Sequence, residues 1–249
     1  MPDPIFVEPR LAAVYDAFDG ERGDLPHYLA IADEFGAKSV LDVGCGTGNL
    51  AVLLAGGGRT VTGIDPAAAS LEIARSRAGG ERVTWIHGDA ASVPAIGADL
   101  AIMTGNVAQV FLTAADWAAT LRGIRGALRP GGRFVFETRR PERRAWEEWV
   151  ARTETRDGVE RRFELLDVTP PYVSFRYTFR FASDGAVLTS DSTLRFRDRA
   201  EIEASLTADG FDVLDVREAP DRPGREFVFV AQVASTTTDA RSHGRQAAK

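Results

Sequence analysis

The stretch Ser39-Val40-Leu41-Asp42-Val43, followed by Gly44-Cys45-Gly46-Thr47-Gly48 and the run Asn49 to Ala55, constrains this chain more than any other part of it. A short, largely apolar, β-branched run reads as a strand, a glycine cluster as a tight loop, and the residues after it as a helix. The unit then recurs. Thr60 to Ile64 reads as a strand ending at Asp65, and Pro66 to Arg77 as a helix with proline in its first turn. Val83 to His87 is a third strand, ending at Gly88-Asp89, and Leu100 to Met103 a fourth. A helix from about Ala114 to Leu128, a Pro130-Gly131-Gly132 turn and a strand from Arg133 to Glu137 complete the series. Strands alternating with helices predict an α/β fold with a doubly wound, mostly parallel sheet covered on both faces.

Two stretches depart from that alternation. From Pro9 to about Phe35 the spacing is helical, with Leu11, Val14, Tyr15 and Phe18 on one stripe and Leu29, Ile31 and Phe35 on a second segment, which predicts two N-terminal helices. From about Thr153 to Phe196 the period becomes two, carried by Phe163, Leu165, Val173, Phe175, Tyr177, Phe179, Phe181, Leu188, Leu194 and Phe196. The breaks Asp157-Gly158, Pro170-Pro171 and Asp184-Gly185 divide this into an antiparallel meander of three or four strands. A helix from Asp198 to Ala208, capped by Gly210, and strands from Phe211 to Arg217 and Glu226 to Val233 return the chain to the α/β pattern. The expected organisation is N-terminal helices over residues 1–38, an α/β domain over 39–150 and 198–233, the inserted meander over 151–197, and a mobile tail over 234–249.

Charge and cysteine content narrow the function. A formal net charge of -6 repels phosphate backbones, so a nucleic-acid partner is not expected. The lone cysteine, Cys45, rules out an internal disulfide and a multi-cysteine metal site, and no metal site is expected. Neither a signal peptide nor an apolar run of membrane-spanning length is legible, so a cytoplasmic location without a membrane partner is expected.

The glycine cluster leaves the main chain bare where doubly wound sheets bind adenine-containing cofactors. Its spacing is G-x-G-x-G, whereas nicotinamide dinucleotide sites use G-x-G-x-x-G to aim a helix N-terminus at a pyrophosphate. An acid beside the loop, Asp42, suits a ligand carrying cations and no phosphate. Four segments in order now resemble the class I S-adenosylmethionine-dependent methyltransferases: Leu41 to Gly48, Gly63-Ile64-Asp65-Pro66, Gly88-Asp89-Ala90, and Leu128 to Phe134. The resemblance spans roughly Ser39 to Glu137 and implies a Rossmann-like seven-stranded sheet with S-adenosylmethionine as cofactor and S-adenosylhomocysteine as product. It implies transfer of a methyl group to a small-molecule acceptor that the sequence does not identify.

Residue by residue, the resemblance implies that Gly44, Cys45 and Gly46 line the methionine and ribose, that Asp65 with Pro66 meets the ribose hydroxyls, and that Asp89 and Ala90 contact the adenine. An ionised carboxylate at Asp65 can hold a vicinal diol through two charge-assisted bonds, and helix capping before Pro66 is its alternative. Asp89 reads equally as a turn residue, and Asp42 as a brace of the loop. Thr104, Gly105 and Asn106, ending the fourth strand, are candidates for cofactor contact, although no acidic or aromatic tetrapeptide of the amine- and nucleobase-methylating type stands there. Tyr15 is a candidate to cover the cofactor or a core aromatic.

Displacement at a sulfonium needs a base only where the acceptor must lose a proton. The candidates for a base are His87, His27, Glu137 and Tyr15, with Asn106 as a catalytic candidate that would orient the acceptor or merely close a turn, and the sequence assigns none of them. Arg139, Arg140, Arg143 and Arg144, interleaved with Glu142, Glu147 and Glu148, read as a solvated helix with i,i+4 pairs, leaving an anionic acceptor on Arg139 as the alternative. The meander is expected to be an acceptor-binding lid or a dimer surface on a monomer or homodimer. The competing readings are a nicotinamide-dependent oxidoreductase and a non-catalytic S-adenosylmethionine-binding module.

Overall fold

Strand β1 (Ser39–Val43) lies between β2 (Thr60–Asp65) and β4 (Ala98–Met103), paired in parallel with both. The computed structural model describes residues 2–20 and 22–234, so the tail expected over 234–249 lies outside the described residues from 235 onward. Outward from β2 runs β3 (Val83–His87), and beyond β4 come β5 (Leu128–Arg139), β11 (Glu226–Val233) and β10 (Phe211–Glu218). The seven strands stand in the order β10-β11-β5-β4-β1-β2-β3, with β11 antiparallel to both of its neighbours. The order reverses between β1 and β4, which opens a crevice at the carboxyl edge of the sheet.

The strands are apolar on both faces and their residues sort alternately. Leu41, Met103, Phe134, Phe136 and Phe229 pack under α6 (Ala114–Ala127) and α7 (Arg199–Ala208). Val40, Leu100, Ile102, Val135 and Val228 pack under α3 (Leu25–Glu34) and α4 (Asn49–Gly56). Side chains that alternate across a strand and are buried on both sides are what a doubly covered sheet requires. Local signals set the ends: Thr113 caps α6 through the Asp116 N–H at 3.0 Å, and Asp198 caps α7 through the Glu201 N–H at 2.7 Å.

The meander is a separate four-stranded antiparallel sheet of β6 (Arg152–Arg156), β7 (Val159–Thr169), β8 (Tyr172–Phe181) and β9 (Val187–Arg195). Asp157 and Gly158, both at positive φ, make the tight turn between β6 and β7. Three N-terminal helices are present where two were expected, because Pro4–Val7 (α1) precedes α2 (Pro9–Asp19). Ile5, Leu11 and Phe18 of these helices pack on Val159, Phe179 and Phe181 of the second sheet.

The arginine-rich segment after β5 is not the solvated helix its spacing suggested. It forms two short 3-10 turns, Pro141–Arg143 and Ala145–Glu148, parted by Arg144 at φ 46°. Pro141 lacks an amide hydrogen and a left-handed residue ends any helical run, so the expected i,i+4 ladder never forms. One pair forms within the segment, Arg144 with Glu147 at 3.0 Å, while Arg140 pairs with Glu218 and Glu148 with Arg225, and Trp146 is buried against Phe196.

No helix among the described residues is long and apolar enough to cross a membrane.

Candidate functional site

The glycine loop is stitched to β2 by two bonds, from the Gly44 and Cys45 N–H groups to the Ile64 carbonyl at 2.9 and 3.2 Å. Gly44, Gly46 and Gly48 all have positive φ, at 68°, 52° and 81°. A Cβ on Gly44 would lie 2.8 Å from Val107, and one on Gly48 would lie 2.6 Å from the Trp85 ring. A Cβ on Gly46 would meet nothing within 4 Å, so the middle of the loop turns bare main chain toward open space.

Asp65 closes one side of this opening. One carboxylate oxygen accepts the Gly46 N–H and the other the Ala67 N–H, both at 2.8 Å. The carboxylate thus fixes the loop and the turn into α5 (Ala68–Ser76) together, and each oxygen keeps a further lone pair. Burial raises its pKa. Asp42, 2 % exposed beneath the loop, is pushed up to about 7 by burial, against the pull of the Arg22 charge. Cys45 is buried and its thiol is pushed well above the usual range by desolvation and by Asp42, which makes it unreactive.

The opposite side is the end of β4. Gly105 and Asn106 are both left-handed, at φ 68° and 60°, and a Cβ on Gly105 would also face open space. This turn is held by Glu137, whose Oε1 accepts the Gly105 N–H at 2.8 Å and the Asn106 N–H at 3.2 Å, while its Oε2 accepts the Tyr28 hydroxyl. With both oxygens occupied and only 1 % exposed, Glu137 is a brace for the turn. The Asn106 amide donates to Glu226 at 3.0 Å.

The remaining candidates take distinct places. Tyr15 is held against Phe6, at 5.4 Å between ring centroids, and burial raises its hydroxyl pKa. Pro66 and His87 are exposed at the ends of neighbouring strands, with His87 Nε2 3.1 Å from the Pro66 carbonyl; since a carbonyl only accepts, that nitrogen carries the proton. Asp89 is exposed and one of its oxygens accepts the Ser92 N–H at 3.0 Å, while Ala90 is buried under α6. His27 lies on α3, where burial lowers its pKa. The structure therefore brings Asp42, Gly44, Cys45, Gly46, Asp65, Thr104, Gly105 and Asn106 to the carboxyl ends of the neighbouring strands β1, β2 and β4, and sets His87 and Asp89 at the end of β3.

Asp16, expected with Tyr15 to lie in a helix over the cofactor, has a bonding role the sequence did not show, and Arg22 was missed altogether. Asp16 takes the Thr47 hydroxyl at 2.7 Å, the Asn49 amide at 3.2 Å and the Arg77 guanidinium, which fastens α2 onto the loop. Arg22 is gripped by both oxygens of Asp24, at 2.8 and 2.6 Å, and donates to Thr104 at 3.3 Å. Neither shows a local signal beyond adjacency to Tyr15 and Asp24, because Thr47, Asn49 and Arg77, which meet Asp16, and Thr104, which meets Arg22, are remote in sequence.

Residues 40–132 match the family model of a methyltransferase domain. The fold is accordingly that of the class I S-adenosylmethionine-dependent methyltransferases, in agreement with the resemblance carried by the four segments. Among curated proteins, a ubiquinone/menaquinone biosynthesis C-methyltransferase from Rubrivivax gelatinosus is 32% identical over 108 residues, covering 43% of this chain and 42% of that protein. The chain spans about half the length, or less, of the curated relatives it matches. Among solved structures, an S-adenosylmethionine-dependent methyltransferase from Clostridium acetobutylicum superposes with a TM-score of 0.78 at 16% identity, covering 92% of this chain and 99% of that one. An amino pentose methyltransferase from Micromonospora echinaspora, with S-adenosylmethionine bound, gives 0.69 at 23% identity over 89% and 97%.

Proposed function

We propose that this chain transfers a methyl group from S-adenosylmethionine to a small-molecule acceptor by in-line displacement. The observation that carries the reading is the pairing of Asp65 with the bare Gly46 backbone: a buried carboxylate with spare lone pairs stands at the lip of an opening that a Cβ would not fill. The crevice fits such a cofactor by its chemistry. Asp65 would hold the ribose diol, Asp42 would supply negative charge for the ammonium and sulfonium once it ionises, and Arg22, anchored by Asp24, would face the carboxylate. When bound, the cofactor supplies an electrophilic methyl on a neutral leaving group, so placing the reactants is the main task left to the protein.

Asn106, Thr104 and Gly105 stand where the acceptor would meet that methyl, in a turn that Glu137 keeps fixed. No general base is assigned. The second sheet is read as a lid on the acceptor side, residues 1–38 as a cover for the cofactor, and the chain as a cytoplasmic monomer or homodimer that does not bind nucleic acid. A small acceptor is supported by the names of the relatives, which act in quinone biosynthesis and on an amino pentose.

Thermal-shift titration with S-adenosylhomocysteine and, in parallel, NADH tests the proposal. Stabilisation by the first alone supports it; stabilisation by NADH alone supports the oxidoreductase reading. Transfer of tritiated methyl to an acceptor panel separates an enzyme from a binding module.

A further inference from the structure

Beyond the cofactor crevice, a second polar patch stands at the carboxyl edge of β5 and β11. Arg139 and Glu226 face each other across those strands, so their side chains share a face. Asn106 and Gln109 open and continue one 3-10 turn, joined by the Gln109 N–H to Asn106 carbonyl bond at 2.9 Å, and residues three apart in such a turn eclipse. Two side-chain bonds close the square: Asn106 to Glu226 at 3.0 Å and Arg139 to Gln109 at 2.9 Å.

Each charge orients an amide. A carboxylate only accepts, so the Asn106 nitrogen turns toward Glu226 and its Oδ1 is left without a partner; a guanidinium only donates, so the Gln109 oxygen turns toward Arg139 and its Nε2 is left without one. Glu226 Oε2 is unpartnered as well. Asn106, Gln109 and Glu226 are 3, 1 and 1 % exposed, and three orphaned buried polar atoms in one patch call for a ligand. Both nearby carboxylates, Glu137 and Glu226, pair with Arg222, at 3.7 and 2.9 Å, and among the described residues Arg139 makes no ion pair within 4 Å.

The wall is aromatic. Trp149 lies over the Arg139 guanidinium at 5.6 Å, and its ring meets Phe175 at 5.7 Å, next to Tyr177 at 5.6 Å from Phe175. A flat ring entering beside Arg139 would replace Trp149 there and stack on the same surface.

Resting on the methyltransferase reading, we infer that this patch is the acceptor site and takes an aromatic acid that carries its methylated O–H or N–H next to the carboxylate. The carboxylate is received by Arg139 and Gln109 Nε2, and the neighbouring O–H or N–H donates to Glu226 Oε2 or Asn106 Oδ1. Gln109 Nε2 thereby gains an acceptor, one of the two orphaned oxygens gains the hydroxyl hydrogen of a phenol, and both gain a hydrogen from a primary amine.

Salicylate and anthranilate, with 2-hydroxybenzyl alcohol as the neutral comparator, serve as probes in calorimetric titrations of the full chain saturated with S-adenosylhomocysteine. Either acid is expected to bind about tenfold more tightly than the alcohol. Arg139→Gln should remove that preference while S-adenosylhomocysteine affinity stays within about twofold, the spread expected when no direct contact is lost. Gln109→Glu, which sets a resident carboxylate against Arg139, should expel the acids without truncating the guanidinium and so covers the case of a misfolded Arg139 variant. Equal binding of acid and alcohol, or acid binding untouched by both variants, overturns the inference while leaving the methyltransferase reading in place. Failure of the wild-type chain to bind S-adenosylhomocysteine overturns that reading, and this one with it.

Discussion

Thr47 donates its hydroxyl hydrogen to Asp16 across 2.7 Å, and that single bond ties the N-terminal helix α2 to the glycine loop. The same carboxylate takes Asn49 and Arg77, so the loop, the start of α4 and the end of α5 converge on one side chain. Asp16→Ala is expected to weaken S-adenosylhomocysteine binding about tenfold while lowering stability by only about 1 kcal/mol, since the carboxylate is part-exposed and solvent screens its ion pair. Calorimetry and chemical denaturation of the variant measure the two effects, and unaltered affinity would refute a cover role for α2.

The raised pKa of Asp42 fixes the sign of a pH effect. Its carboxyl titrates near 3.8 in the unfolded chain and at about 7 in the native protein, so between those values the native state holds a proton that the unfolded state has lost. This group's contribution to stability is therefore full below the unfolded value and declines as pH rises toward 7, by up to about 1.4 kcal/mol per pH unit. Asp65 and Glu137, also raised by burial, act with the same sign. Asp42→Asn should flatten the decline seen in urea denaturation across that range. It should also abolish the rise in cofactor affinity with pH that an ionising Asp42 gives a cationic ligand; an unchanged slope would remove Asp42 from the site.

Glu137 separates bracing from base catalysis. Glu137→Ala strands the Gly105 and Asn106 N–H groups and the Tyr28 hydroxyl, and should destabilise the protein by about 3 kcal/mol. Glu137→Gln can still accept the two amides through its oxygen and donate to Tyr28 through its nitrogen, so it should keep most of both stability and turnover. Loss of turnover in a well-folded Glu137→Gln protein would instead mark Glu137 as the base.

Two glycines of α6 give opposite expectations. A Cβ on Gly123 would collide with the Ala90 carbonyl, main chain that cannot swing aside, so Gly123→Ala should destabilise by about 2 kcal/mol or more and disturb the Asp89-Ala90 turn. Gly126 faces open space on the same helix, and Gly126→Ala should stabilise by about 0.5–1 kcal/mol. Thermal melts of the pair decide the matter, and equal effects would contradict the close packing of α6 on that turn.

The sheet was legible because its evidence is local: apolar runs ending at Gly44, Asp65 and Asp89 announce strand tips, and the period of two from Phe163 to Phe196 announces the second sheet. The brace and the patch were not, because their partners are distant. Glu226 lies 120 residues from Asn106, and Glu137 lies 109 from Tyr28. The segment after β5 misled because its charges match helical spacing, and only the path set by Pro141, Arg144 and the burial of Trp146 sends Arg140 to Glu218 and Glu148 to Arg225. Arg22 carries no motif, and its position follows from Asp24 and Thr104, which meet only in the folded chain.

A crystal structure of the full chain with S-adenosylhomocysteine bound is the most direct measurement. The ribose diol is expected within hydrogen-bonding distance of Asp65, with the adenosyl group lying along the bare face of Gly46 and the sulfur turned toward Asn106. An adenosyl group bound elsewhere, or a ribose that leaves Asp65 untouched, would contradict the assignment of the crevice.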